Sequence, residues 1–128
     1  MIDFNKDDPI EDWNSSYIRR KNFVFWPSEG SIRFISRYIR KRVGLDIVQD
    51  VTLGAKDSKV LDLSCGIGRH IQFGLQMGLG MYGIELSAIA VDMAQQWMNG
   101  VMQGAEADHI RQSDIRNFPG RTATSIML

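Results

Sequence analysis

Apolar residues in this chain change their spacing as the sequence advances. Between residues 28 and 44, Ile32, Ile35, Ile39 and Val43 recur every three or four positions, the spacing of one helical face. Ser28 is suited to cap that helix at its start and Gly44 to end it. From residue 59 the pattern becomes short and dense. Residues 59–63 form an apolar run of strand length, 64–68 a small-residue turn, and 69–77 a helix closed by Gly78 or Gly80. Residues 81–84 make a second strand. Ser87 is placed to cap a helix running to about Met98, with Ala90, Met93, Ala94 and Trp97 on one face and Gly100 and Gly104 breaking it. A weaker third strand spans 110–113, a turn 117–120, and a fourth strand begins at 124–128.

Strand and helix in alternation predict an α/β fold, a Rossmann-like parallel sheet with flanking helices. Ligands of such sheets bind beyond the carboxyl ends of the strands, where strand order reverses. The turns after the first and second strands are therefore the candidate site. Upstream, residues 1–11 are polar, acidic and expected to be loosely ordered, and 13–26 are rich in aromatics: Trp13, Tyr17, Phe23, Phe25 and Trp26. Residues 45–58 are ambiguous, with room for one more helical turn. Two segments result, an N-terminal cap over 1–58 and the first half of a ligand-binding domain over 59–128.

Composition narrows the function. Fifteen basic and fifteen acidic residues give zero formal net charge, so the chain as a whole carries no electrostatic footprint for nucleic acid. No run approaches the ~20 apolar residues of a membrane span, and the acidic N-terminus is no secretory signal. Cys65 is the single cysteine, which excludes an intrachain disulfide and fits a reducing compartment, with the cytoplasm as the expectation. With two histidines and one cysteine, no metal site is expected. Cys65 and His70 read as a packing residue and a flank of the helix start, and His109 as exposed. The runs 19–21 and 40–42 read as solvated basic faces, and the aromatics as core or lid.

The most informative stretch is Val60-Leu61-Asp62-Leu63-Ser64-Cys65-Gly66-Ile67-Gly68-Arg69-His70. Gly66 and Gly68 allow a sharp turn and close approach of a ligand to the backbone. The helix that follows offers free N–H groups to an anion. A dinucleotide fingerprint requires glycine where Ile71 stands, so it fails. Asp62 would repel a pyrophosphate and suits an ammonium group, which favours a ligand bearing an amino acid, such as S-adenosylmethionine (SAM).

Residues 61–70 resemble the first motif of class I SAM-dependent methyltransferases, L-D-L-G-C-G-x-G-R-H, with Ser64 in place of the usual glycine. The turn is expected to survive that change provided its backbone needs no positive φ. Gly83-Ile84-Glu85-Leu86-Ser87 is similar to the second landmark, G-x-D/E-x-S, and Gln112-Ser113-Asp114-Ile115 to the third. The resemblance covers about Lys59 to Asp114. It implies a cofactor set of Asp62, Leu63, Ser64, Gly66, Gly68, Glu85, Leu86, Asp114 and Ile115. Within it, Glu85 takes the ribose hydroxyls and Asp114 meets the adenine amino group. It further implies methyl transfer to an acceptor, expected to be a small molecule, with no catalytic base identifiable; the alternative is a non-catalytic module of the same fold that binds a partner or pairs with another chain. Against the family's seven-stranded sheet this chain is expected to be truncated after about the fourth strand. The fourth strand would lie beside the first with its other edge open to self-association.

Overall fold

The computed structural model describes residues 9–20, 23–102, 109–114, 116 and 125–127. Four strands form a parallel sheet: β3 (Lys59–Leu63), β4 (Gly80–Glu85), β5 (Ile110–Gln112) and β6 (Ser125–Met127), in the order β5-β4-β3-β6. β3 and β4 are joined through α3 (Arg69–Gln76), and β4 and β5 follow one another through α4 (Ala88–Met102). Strand order reverses beside β3, since β4 and β6 flank it on opposite sides. The strands lie within two residues of their predicted limits. Residues 124 and 128 of the expected fourth strand lie outside the described residues.

Register decides what each face of the sheet presents. Val60 pairs with Met81, Asp62 with Gly83, and Leu63 with Ile84. Side chains alternate along a strand, so Val60, Asp62, Met81, Gly83 and Glu85 share one face. That face receives α3. A Cβ on Gly74 of α3 would lie 2.7 Å from Cγ of the fully buried Met81, and one on Gly83 would lie 2.8 Å from Sγ of Cys65. Glycine at both positions lets helix and sheet close together. Ile35, Ile71, Met81 and Met98, each fully buried, form the centre of the core. Each such side chain contributes about 1.5–3 kcal/mol by leaving water.

The N-terminal part departs from the sequence expectations in three places. Residues 9–11 are helical, within α1 (Pro9–Ile18). The helix α2 (Glu29–Tyr38) starts at the predicted cap, where Ser28 Oγ accepts from the Ser31 N–H at 3.2 Å, but it stops before Ile39. Val43 is therefore not helical. Instead β1 (Arg40–Arg42) pairs antiparallel with β2 (Val48–Asp50), with Arg40 opposite Asp50. Arg40 is not a solvated residue: it pairs with Asp50 at 2.8 Å and donates to the Met77 carbonyl at 2.6 Å, anchoring the hairpin to the end of α3. The ambiguous 45–58 stretch holds β2 and a 3₁₀ turn, Ala55–Asp57. Downstream, α4 runs through Gly100, which does not break it.

No helix among the described residues is long and apolar enough to cross a membrane.

Candidate functional site

The loops after β3 and β4 meet at the carboxyl end of the sheet, and one side chain holds them together. Glu85, the last residue of β4, is 6% exposed. Its Oε1 accepts from the Gly66 N–H at 3.2 Å and its Oε2 from the Ser87 N–H at 2.7 Å. A buried carboxylate is tolerated only with such partners. Backbone bonds complete the joint: Cys65 N–H donates to the Ile84 carbonyl and Ser113 N–H to that of Glu85, each at 3.0 Å.

The β3–α3 turn is left-handed at three alternate residues, with φ +58° at Ser64, +57° at Gly66 and +95° at Gly68. The proviso attached to Ser64, that the turn needs no positive φ there, is not met, and the turn forms with the serine left-handed. Gly66 is close to other atoms as well as left-handed, because a Cβ there would sit 2.9 Å from the Tyr17 hydroxyl. Gly68 caps α3 without any side-chain hydrogen bond to the helix, so first-turn N–H groups remain for a ligand.

Asp62 lies on the Glu85 face and is 3% exposed; its Oδ2 has no hydrogen-bond partner. His70 Nδ1 lies 3.7 Å from it. Cys65 feels both carboxylates. Its thiol pKa is pushed well above the usual range by burial, then by Asp62 and Glu85, which leaves it a packing residue.

A cleft of about 170 Å³ opens at this point, bounded by Ser64, Glu85, Leu86, Ser113 and Asp114 from the sheet loops and by Trp13 and Tyr17 from α1. Four of the nine sequence-derived residues thus line it: Ser64, Glu85, Leu86 and Asp114. Gly66 joins them through its bond to Glu85. Asp62 lies apart from the lining with its unpaired oxygen, and Leu63 and Gly68 do not border the cleft. Ile115 lies outside the described residues. Asp114 is engaged: Arg116 donates to both its oxygens, from Nε at 2.9 Å and from a terminal nitrogen at 2.5 Å. That contact holds the Asp114 carboxyl down at about 2.

Trp13, Asn14 and Tyr17 are the site residues missed by motif reading. Trp13 and Tyr17 are four apart on α1 and face the cleft together, and the Ser87 hydroxyl bonds Asn14 while accepting from the Ala90 N–H. The i, i+4 aromatic pair was the available signal. His109 also differs from expectation. It is half-buried, stacked on Tyr82 at 4.2 Å, with Nδ1 3.1 Å from the Met81 carbonyl.

Two measurements follow from this geometry. A left-handed conformation costs a non-glycine residue about 1–2 kcal/mol. Glycine's greater loss of freedom on folding returns about 0.5–1 kcal/mol of that. Ser64→Gly is therefore expected to stabilise the chain by up to about 1.5 kcal/mol in denaturant unfolding; destabilisation would show that the serine hydroxyl matters more than the backbone. The Tyr17 hydroxyl is raised from 10.0 to about 12 by burial first, then by Glu85 and Cys65. A raised pKa in the folded state gives stability that is whole below pH 10 and lost as pH climbs towards 12. Ultraviolet titration should show one late tyrosine that disappears in Tyr17→Phe, and an unchanged titration would contradict its burial against the site.

No family model and no curated protein matches the sequence. Solved structures do match. The magnesium protoporphyrin IX methyltransferase of Synechocystis PCC 6803 with bound SAM is 19% identical, with a TM-score of 0.63 over 99% of this chain and 62% of its own. The same enzyme with bound SAH gives 17% identity and a TM-score of 0.62, over 95% and 57%. The MccD protein gives 18% and 0.52, over 77% and 38%. The chain spans between about two fifths and three fifths of the length of these structures. At these identities the likeness is one of fold, and the chain has the fold of the class I SAM-dependent methyltransferases.

Proposed function

We propose that this chain is the cofactor-binding part of a SAM-dependent methyltransferase acting on a small molecule. The observation that carries the reading is the unpaired, buried Asp62 oxygen. It lies on the same face as Glu85, beside a left-handed turn that opens a capless helix. A buried carboxylate oxygen left without a partner is costly unless a cation completes it. The ammonium of SAM is such a cation.

The remaining residues fit the same ligand. The free N–H groups at the start of α3 suit its carboxylate. Glu85 has two acceptor oxygens for a ribose diol, each with a lone pair beyond its backbone bond. Leu86 and Asp114 line the cleft beside Glu85 and suit contact with the nucleoside. SAM supplies a methyl group already activated on a sulfonium. The task left to the protein is to hold donor and acceptor in line, which is catalysis by orientation. The solved neighbour acts on magnesium protoporphyrin IX, which supports a small-molecule acceptor. No residue of the described site stands out as a general base.

Two further readings belong to this proposal. β6 pairs only with β3 among the described residues, so its outer edge is a candidate surface for self-association. A single, buried, unreactive thiol suits a reducing compartment such as the cytoplasm.

Calorimetry tests the reading. SAM should bind and NAD should not. Glu85→Ala removes charge-assisted acceptors worth roughly 1.5–3 kcal/mol each, so affinity for SAM should fall at least tenfold in a variant shown by circular dichroism to be folded. Equal affinity in wild type and Glu85→Ala would place the ribose elsewhere, and binding of NAD in place of SAM would overturn the assignment.

A further inference from the structure

The first two residues of α3 grip the N-terminal segment that crosses them. Arg69 donates to the Trp26 carbonyl at 3.4 Å, and His70 Nε2 accepts from the Ser28 N–H at 3.1 Å. The second bond fixes the chemistry of the ring. A nitrogen that accepts a backbone N–H carries no proton, so the imidazole is the neutral tautomer with its hydrogen on Nδ1. That Nδ1–H is the atom 3.7 Å from the unpaired oxygen of Asp62. The separation is about 1 Å longer than a charge-assisted hydrogen bond, so the donor dipole acts on the carboxylate without occupying it.

We propose that His70 is a positioning residue that orients Asp62 for the cofactor's ammonium group and ties it to the cap of α2 through Ser28. The inference rests on the proposed function for the identity of the cation, while the Ser28–His70 hydrogen bond and the 3.7 Å approach of Nδ1 to Asp62 stand on the structure alone. Its consequence is that recognition at Asp62 and docking of the segment before α2 share one side chain. The ring's two nitrogens serve the two ends separately: Nε2 holds the cap, and Nδ1 faces the acid.

That division can be read experimentally. In His70→Asn the amide sits where Nδ1 lies, preserving a donor towards Asp62 and losing the acceptor for Ser28. In His70→Gln the amide reaches the Nε2 position, preserving the acceptor for Ser28 and losing the donor. SAM affinity of His70→Asn should stay within about threefold of wild type, and that of His70→Gln should fall about tenfold. Thermal stability should order the other way, with His70→Gln the more stable. A merely structural histidine would make affinity follow stability, and that result overturns the proposal. Imidazole nitrogen chemical shifts of the ligand-free full chain provide a readout independent of SAM. A protonated Nδ1 with an unprotonated Nε2 supports the proposed division of the ring between Ser28 and Asp62, and the opposite tautomer overturns it even where a variant fails to fold. Absence of SAM binding by the wild type would instead defeat the proposed function, and the nitrogen spectrum would still decide the role of His70.

Discussion

The carboxylate of Glu85 is the joint on which the upper end of this structure depends. It is buried, it ends β4, and it accepts one N–H from the turn after β3 and another from the turn after its own strand. Two turns distant in sequence are thereby locked to a single side chain. Without those donors the charge would be too costly to bury, and without the charge the turns would lose a shared partner. The left-handed residues Ser64, Gly66 and Gly68 are what bring the Gly66 N–H within reach. The fold and the candidate site are thus two consequences of one placement: a strand that ends on an acid beside a strand that ends on a turn.

The N-terminal cap completes that arrangement. Tyr17 packs with Ile67 and Ala90, Asn14 bonds Ser87, and His70 and Arg69 hold the segment ahead of α2. These contacts place α1 directly over the cleft. At about 170 Å³ the cleft, with Trp13 and Tyr17 on its border, falls below the ~300 Å³ of the smaller ligand pockets. On the proposed function, a nucleoside reaching Glu85 needs more room than this cleft gives, and the rings of Trp13 and Tyr17 border that space.

The core of this account was legible in the sequence for physical reasons. A buried parallel strand reads as a mainly apolar run, and Val60, Leu61 and Leu63 supply it around Asp62 in β3, as Met81 and Ile84 do ahead of Glu85 in β4. Glycines punctuate the turns where the backbone goes left-handed. What could not be read depends on contacts between distant residues. The segments Arg40–Arg42 and Val48–Asp50 show no strand alternation, and they pair because Arg40 finds Asp50 across the ladder and the Met77 carbonyl at the end of α3. Residues 9–11 look like a polar tail until Tyr17 and Asn14 of the same helix are seen to be anchored on the sheet loops. The one mark of the positive φ at Ser64 is the glycine that the resembling motif carries there, because serine itself seldom adopts that conformation. The sequence does not show that Asp114 is already clasped by Arg116.

The most direct test of the account is a crystal structure of the chain with S-adenosylhomocysteine. The account predicts the ribose hydroxyls on Glu85, the amino group on the Asp62 oxygen now without a partner, and Trp13 and Tyr17 displaced from their present positions. A nucleoside bound away from Glu85, or an amino group that leaves Asp62 unpaired, would contradict it.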